Sequence, residues 1–145
     1  ASEVDLTALL DELRIVVAPM LEEEEIAAQW SVAPDLPPVW ADRPSLMQVF
    51  LNLVTNSIRV LSSRPTRMFS VTAKAEAGRV LVEFADTGGG VDHPEQLFRP
   101  FQEGAQSSGL GLYLSRAFLR SFGAEIRYAA QPDGACFIVN LKALD

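Results

Sequence analysis

Two side-chain amides, Asn52 and Asn56, stand four residues apart in the apolar stretch LMQVFLNLVTNSIRVL. Helical periodicity brings such positions onto one face, about one turn apart, so both amides would point the same way. Interior asparagine is a mediocre helix former, roughly a few tenths of a kcal/mol worse than a straight-chain residue, and a pair of them asks for a reason. Ligation is one reason; simple exposure to water is the other. Gln48, Asn52, Asn56 and Arg59 share a narrow sector of the helix, while Leu46, Val49, Phe50, Leu53, Val54, Ile58 and Leu61 cover much of the rest. That leaves little helix surface for solvent and predicts a polar stripe lining a cavity.

Asp86 opens Asp-Thr-Gly-Gly-Gly at the end of an apolar strand-like run. A carboxylate there can accept a hydrogen bond from an exocyclic amine such as N6 of adenine, a donor that guanine lacks at that edge. Asp before Thr-Gly is also a common turn opener, and that reading stays open for the residue taken alone. Gly88 and Gly90 allow the close approach that a loop around a planar base requires. Gly109 and Gly111, in Gly-Leu-Gly-Leu, stand where a third long helix is expected to start, and free amides at a helix N-terminus bind phosphate oxygens without lysine. Tight packing of a helix start is the alternative for those glycines. Taken together, the three segments describe a site for a magnesium-bound nucleotide.

Other phosphate and metal motifs fail. The chain holds no Gly-x-x-x-x-Gly-Lys-Ser/Thr, and no Gly-x-Gly-x-x-Gly follows a strand. His93 is the one histidine and Cys136 the one cysteine, so a zinc pair and an intrachain disulfide are both excluded. Cys136, in a late strand-like run, is expected to be a buried spectator, and His93 a surface residue.

The elements that must position these residues follow from pattern. Residues 3–6 read as a short strand and 7–24 as an amphipathic helix, with Leu9, Leu10, Leu13, Val16, Val17 and Met20 inward and Pro19 shortening or kinking it. Residues 26–32 alternate as a half-buried strand with Trp30 in the core; 39–41 make a brief strand, and Asp42 is a plausible N-cap for the asparagine helix. Residues 68–76 and 79–85 form a strand pair turned at Ala77-Gly78, and 88–109 is expected to be loop with a turn of helix near 94–98. A helix over 110–122 stopped by Gly123, then a hairpin of 124–130 and 135–141 turned at Gln131-Pro-Asp-Gly, complete the chain. Strand pairs interspersed with helices predict an α/β (α+β) two-layer sandwich: a mixed, mostly antiparallel sheet of about five strands plus a short N-terminal strand, with three long helices on one face.

Composition narrows the function. At 145 residues and 48% hydrophobic content the chain fits one domain, residues 1–145, with a substantial core. No apolar run is long enough for a bilayer and no signal-peptide layout opens the chain, so a cytoplasmic protein without direct membrane contact is expected, however the intact protein is anchored. A net charge of −7 argues against wide contact with nucleic acid, and it requires magnesium, helix N-termini and one or two arginines to offset a bound triphosphate. The acidic run Glu22 to Glu25 reads as a solvated helix face.

With these motifs in this order, the chain resembles the catalytic and ATP-binding domain of sensor histidine kinases, within the GHKL (Bergerat-fold) ATPase superfamily. LMQVFLNLVTNSIRVL looks like the N box, DTGGG the first glycine box, LFRPF the F box and SSGLGLYLSRAF the second glycine box. The resemblance implies that Asn56, with Asn52 beside it, holds Mg2+ and that Arg59 lies near the phosphates. It implies that Asp86 binds the adenine amine, with Gly88, Gly90 and Val91 shaping the base pocket. Ser108, Gly109, Leu110, Gly111 and Leu112 would line the phosphate end, and Phe98 and Phe101 would anchor the lid over ATP.

Relatives that hydrolyse ATP or phosphorylate serine usually carry glutamate at position 52 as a general base, whereas asparagine cannot take a proton. A neutral histidine is already nucleophilic, so transfer to histidine is the activity implied. No His-Glu box on a dimerisation helix occurs in the sequence. The chain is therefore expected to be a fragment or a separately made domain, with the acceptor histidine on a dimerisation domain and a response regulator as an indirect partner. Residues 102–108 contain no lysine or arginine, which keeps open a degenerate nucleotide-binding or interaction module without phosphotransfer.

Overall fold

The computed structural model describes residues 1–91, 93–100 and 111–144. In chain order the elements are β1 (Ser2–Val4), α1 (Leu6–Glu23), β2 (Ala27–Val32), β3 (Val39–Ala41), α2 (Arg43–Leu61), β4 (Met68–Glu76), β5 (Arg79–Asp86), a 3-10 turn (Pro94–Gln96), α3 (Gly111–Arg120), β6 (Glu125–Gln131) and β7 (Gly134–Ala143). The sheet runs β2-β4-β5-β7, and the far edge of β7 is shared by β6 along most of its length and by the β3-β1 ribbon at its end. Only the β2/β4 pair is parallel; the other described pairs are antiparallel. Seven strands thus stand where about five plus a short N-terminal one were expected, because the brief β3 joins the sheet beside β1.

Strict alternation sets the two faces of the sheet. Val80, Val82, Phe84 and Asp86 on β5 are buried, registered with Val139 opposite Val82 and Phe137 opposite Phe84 on β7, and with Phe69, Val71 and Ala73 on β4. The helices cover this face. From α2 come Leu46, Val49, Phe50, Leu53, Val54, Ser57 and Leu61, with the Phe50 and Phe84 ring centroids 5.1 Å apart. At about 25 cal/mol per Å2 of apolar surface removed from water, this shared layer is the main force holding α2, and hence the asparagines, over the end of β5.

Local chemistry explains the element ends. Asp42 caps α2 by accepting hydrogen bonds from the Ser45 N–H, at 3.2 Å, and from the Ser45 hydroxyl. Those bonds hold the Asp42 carboxyl below its ordinary pKa. Ala77 and Gly78 both adopt positive φ, 51° and 79°, closing the β4/β5 hairpin. Gly123 at φ 79° ends the turn after α3, and the Ala124 N–H returns to the Leu119 carbonyl at 2.9 Å.

The first helix departs from the expected phase. Asp5 caps it, accepting from Ala8 N–H at 3.1 Å, so Leu6 belongs to the helix rather than to a strand. The buried stripe becomes Leu6, Leu9, Leu10, Leu13, Val17 and Leu21, while Val16 is exposed and Met20 only partly covered. Pro19 does not shorten α1: it and Ile15, whose carbonyl loses its helical donor, both face solvent, where water can replace the bond. Trp30 is half-buried rather than central, packed edge-on to Phe69 at 6.4 Å and under Arg14 at 5.9 Å. Cys136 is buried as expected, and burial, with Glu83 nearby, raises its thiol pKa.

Candidate functional site

The described candidate residues gather between α2, the turn after β5 and the start of α3. Asp86 is the last inward position of β5, so the alternation that buries Phe84 also turns this carboxylate under α2. Its two oxygens are held separately. Oδ2 accepts from the Ser57 hydroxyl at 2.7 Å, and Oδ1 accepts from the Gly88 N–H at 2.8 Å. A carboxylate has about four lone-pair sites, so each oxygen keeps capacity for a ligand donor.

The glycine turn is pinned on both sides. Thr87 N–H donates to the Met68 carbonyl at 3.2 Å, Thr87 Oγ1 accepts from Met68 N–H at 3.1 Å, and Gly89 N–H reaches the Asp133 carbonyl at 3.2 Å. Gly88 fits because it lacks a side chain: a Cβ would stand 2.3 Å from Val60 Cγ1 and 2.9 Å from Asp86 Oδ1. Gly90 has φ 83° and lies close to the Gly134 carbonyl. Val91 is at the surface.

At the other end of the site, α2 meets α3. A Cβ on Gly111 would lie 2.9 Å from both Nδ2 and Oδ1 of Asn52, and Asn52 Nδ2 donates to Ser115 Oγ at 3.3 Å. Asn56, one turn further, is half-buried, as are Arg59 and Leu112. Arg59 Nε is buried with no hydrogen-bond partner among the described residues, and desolvation lowers the guanidinium pKa. A buried donor carrying uncompensated positive charge fits an anion such as phosphate. Among the described residues no group of three or more His, Cys, Asp or Glu side chains is placed to hold a metal ion. A divalent cation here could be met by the Asn amide oxygens together with a ligand's own phosphates, oxygen donors of the hard kind that magnesium takes.

Phe98 is anchored: it packs at right angles to Phe137, 6.4 Å between centroids, with Arg116 5.0 Å over its ring. Phe101, Ser108, Gly109 and Leu110, together with the rest of the expected lid, lie outside the described residues. A separate cavity of about 630 Å3 opens beside Ala27, Gln29, Met68, Ser70, Ala85 and Thr87. In register these are the positions alternating with the helix-covered ones, so the cavity opens on the other face of the sheet, with Phe69, Asp86 and Gly134 also along its lining.

Sequence reasoning missed three participants. Ser57 is 2% exposed and Ser115 3%, each joined to a candidate residue, and the Arg64 guanidinium lies against Gly89. Ser57 had a legible signal, since it stands four residues from Leu53 and four from Leu61 inside the buried stripe.

Comparison with known proteins finds similar sequences and similar folds. The family model described as "Histidine kinase-, DNA gyrase B-, and HSP90-like ATPase" matches residues 41–145. The C4-dicarboxylate transport sensor protein DctB of Rhizobium meliloti (strain 1021) is 33% identical over 115 residues, covering 74% of this chain and 18% of the relative. The chain thus spans about a fifth of that relative's length. The catalytic domain of histidine kinase ThkA, in a nucleotide-free form, superposes with a TM-score of 0.88 at 23% identity, covering 98% of this chain and 97% of that one. Full-length ShkA, solved in complex with AMPPNP, gives a TM-score of 0.85 at 28% identity, covering 99% of this chain and 31% of that one.

Proposed function

Since the chain belongs to the family of histidine kinase-, DNA gyrase B- and HSP90-like ATPases, we propose that it binds Mg-ATP and donates the γ-phosphate to a histidine on a separate dimerisation domain. It would act as the catalytic part of a two-component sensor kinase, reaching its response regulator only indirectly, on the cytoplasmic side. One observation carries the reading: a buried carboxylate clamped by two donors stands on the same framework as two amides and an arginine whose buried Nε has no hydrogen-bond partner among the described residues. The AMPPNP held by ShkA supports the choice of ligand class.

In this reading Asp86 accepts the adenine amine, and Gly88 and Gly90 give the base its room. Asn56 and Asn52 offer amide oxygens to Mg2+, which would neutralise phosphate charge and orient the transferring group. Arg59 supplies the fixed positive charge. Asn52 provides no base, so a water or serine acceptor would stay inactive while a neutral histidine needs only positioning. Incubating the chain with labelled ATP and a histidine-bearing dimerisation domain of a sensor kinase should put acid-labile phosphate on that domain. Bound ATP with no transfer to a competent acceptor would refute phosphotransfer and favour the degenerate binding module, the reading suggested by the absence of lysine and arginine from residues 102–108.

A further inference from the structure

We infer that Ser57 is a positioning residue that sets the base selectivity of the site, by fixing the plane in which Asp86 presents its carboxylate to an exocyclic amine. The inference rests on the reading of Asp86 as the base reader and adds a residue and a selectivity mechanism to it. Ser57 is 2% exposed in an otherwise apolar stripe of α2, where an unpaired hydroxyl would be costly. Its one partner is Asp86 Oδ2, at 2.7 Å and 29 residues away in sequence.

The terminal torsion of an aspartate is broad and roughly two-fold, so a carboxylate held by one oxygen can still turn about its last bond. Gly88 N–H holds Oδ1 at 2.8 Å. Ser57 holds Oδ2, and the two donors from different elements remove that rotation. The remaining lone pairs are then offered in a fixed direction, as acceptors. A purine amine meets them as a donor. A carbonyl oxygen at the same position, as in guanine, meets a second acceptor that cannot turn away.

Titration calorimetry with ATP, GTP and purine riboside triphosphate, which lacks the amine, tests this on the wild type and Ser57→Ala. Loss of the clamp should weaken ATP about five-fold, the scale of one net hydrogen bond, and leave purine riboside triphosphate unchanged. The preference for ATP over the amine-free nucleotide therefore contracts by the same factor, and Ser57→Ala adds nothing to the loss in an Asp86→Asn background. A merely structural serine would shift both nucleotides together, and an unchanged preference overturns the inference. If Ser57→Ala does not fold, Ser57→Cys, which keeps the volume and weakens the donor, is read in the same way. A wild type that binds ATP no better than purine riboside triphosphate would instead overturn the Asp86 assignment itself.

Discussion

Gly88→Ala is a test of the base end in which space alone is at issue. Gly88 does not occupy the left-handed region, so alanine is conformationally admissible there. The added Cβ would stand 2.3 Å from Val60 Cγ1, 3.3 Å from Val60 Cβ and 2.9 Å from Asp86 Oδ1. Carbon atoms rest at about 3.5 to 4.0 Å, so the Val60 contact must open by more than about 1 Å. Val60 sits in the last turn of α2, where a β-branched side chain has one strongly preferred rotamer and cannot swing aside freely. Overpacking of this kind costs about 1 to 3 kcal/mol, more than the about 0.4 to 1 kcal/mol that replacing glycine returns through the unfolded chain. Val60→Ala removes the offending Cγ1 from a half-buried position. The double variant should then recover most of the lost stability, with a coupling of about 1 to 2 kcal/mol in a four-protein cycle of urea unfolding. The contact with Asp86 Oδ1 is untouched by that repair, so ATP affinity measured by calorimetry should stay below wild type in the double variant. Additive stability effects within about 0.5 kcal/mol, or a Gly88→Ala protein as stable as wild type, would refute the reasoning.

Three further outcomes are expected. Chelating Mg2+ should weaken ATP binding to the wild type by at least on the order of ten-fold and do much less to Asn56→Ala; equal metal dependence in the two proteins would remove Asn56 from the metal site. Ala77 is exposed at φ 51°, a conformation costing an L-residue about 1 to 2 kcal/mol that asparagine tolerates better, so Ala77→Asn should raise stability by about 0.5 to 1 kcal/mol in urea titration. A variant no more stable than wild type would deny that strain. Asp42 has its carboxyl pKa depressed by Ser45, so its contribution is complete above the ordinary carboxylate value of about 3.9 and is lost as pH falls through the lower folded value. The stability gap between wild type and Asp42→Ala should be flat from neutral pH to about 4 and close below it; a gap that persists in acid contradicts the charged cap.

What was legible in the sequence was whatever a single element's periodicity carries. The 3.6-residue pattern placed Asn52, Asn56 and Arg59 on one sector of α2, and the alternation Val80, Val82, Phe84 put Asp86 on the buried face at a strand's end. The buried stripe of α1 is slightly out of phase with the expected one: Asp5 caps the helix one residue earlier than expected, Leu6 and Leu21 are buried at its two ends, and Val16 faces out. The contacts that depend on two elements meeting were not legible. Ser57 and Ser115 became participants only once α2 lay over β5 and against α3, separations of 29 and 63 residues for their bonds to Asp86 and Asn52. Likewise no local pattern says that the β3-β1 ribbon shares an edge of β7 with β6.

That docking also makes the two asparagines inequivalent, which their spacing could not reveal. The Asn52 amide is already engaged: it donates to Ser115 and lies where any side chain on Gly111 would have to go, so it ties α2 to the first turn of α3. Asn56 has no side-chain hydrogen bond among the described residues, so its whole amide is available, whereas Asn52 keeps only its oxygen for a ligand. A helix N-terminus carries roughly half a positive charge, and in the proposed reading the first turn of α3 would offer it to the phosphates of the ligand. A carboxylate at position 52 would stand against that turn and compete with the phosphate for it. A neutral amide makes the same strut and leaves the positive end free. In the proposed reading, asparagine at this position would therefore do more than withhold a general base, because it would add no negative charge beside the phosphates of a triphosphate.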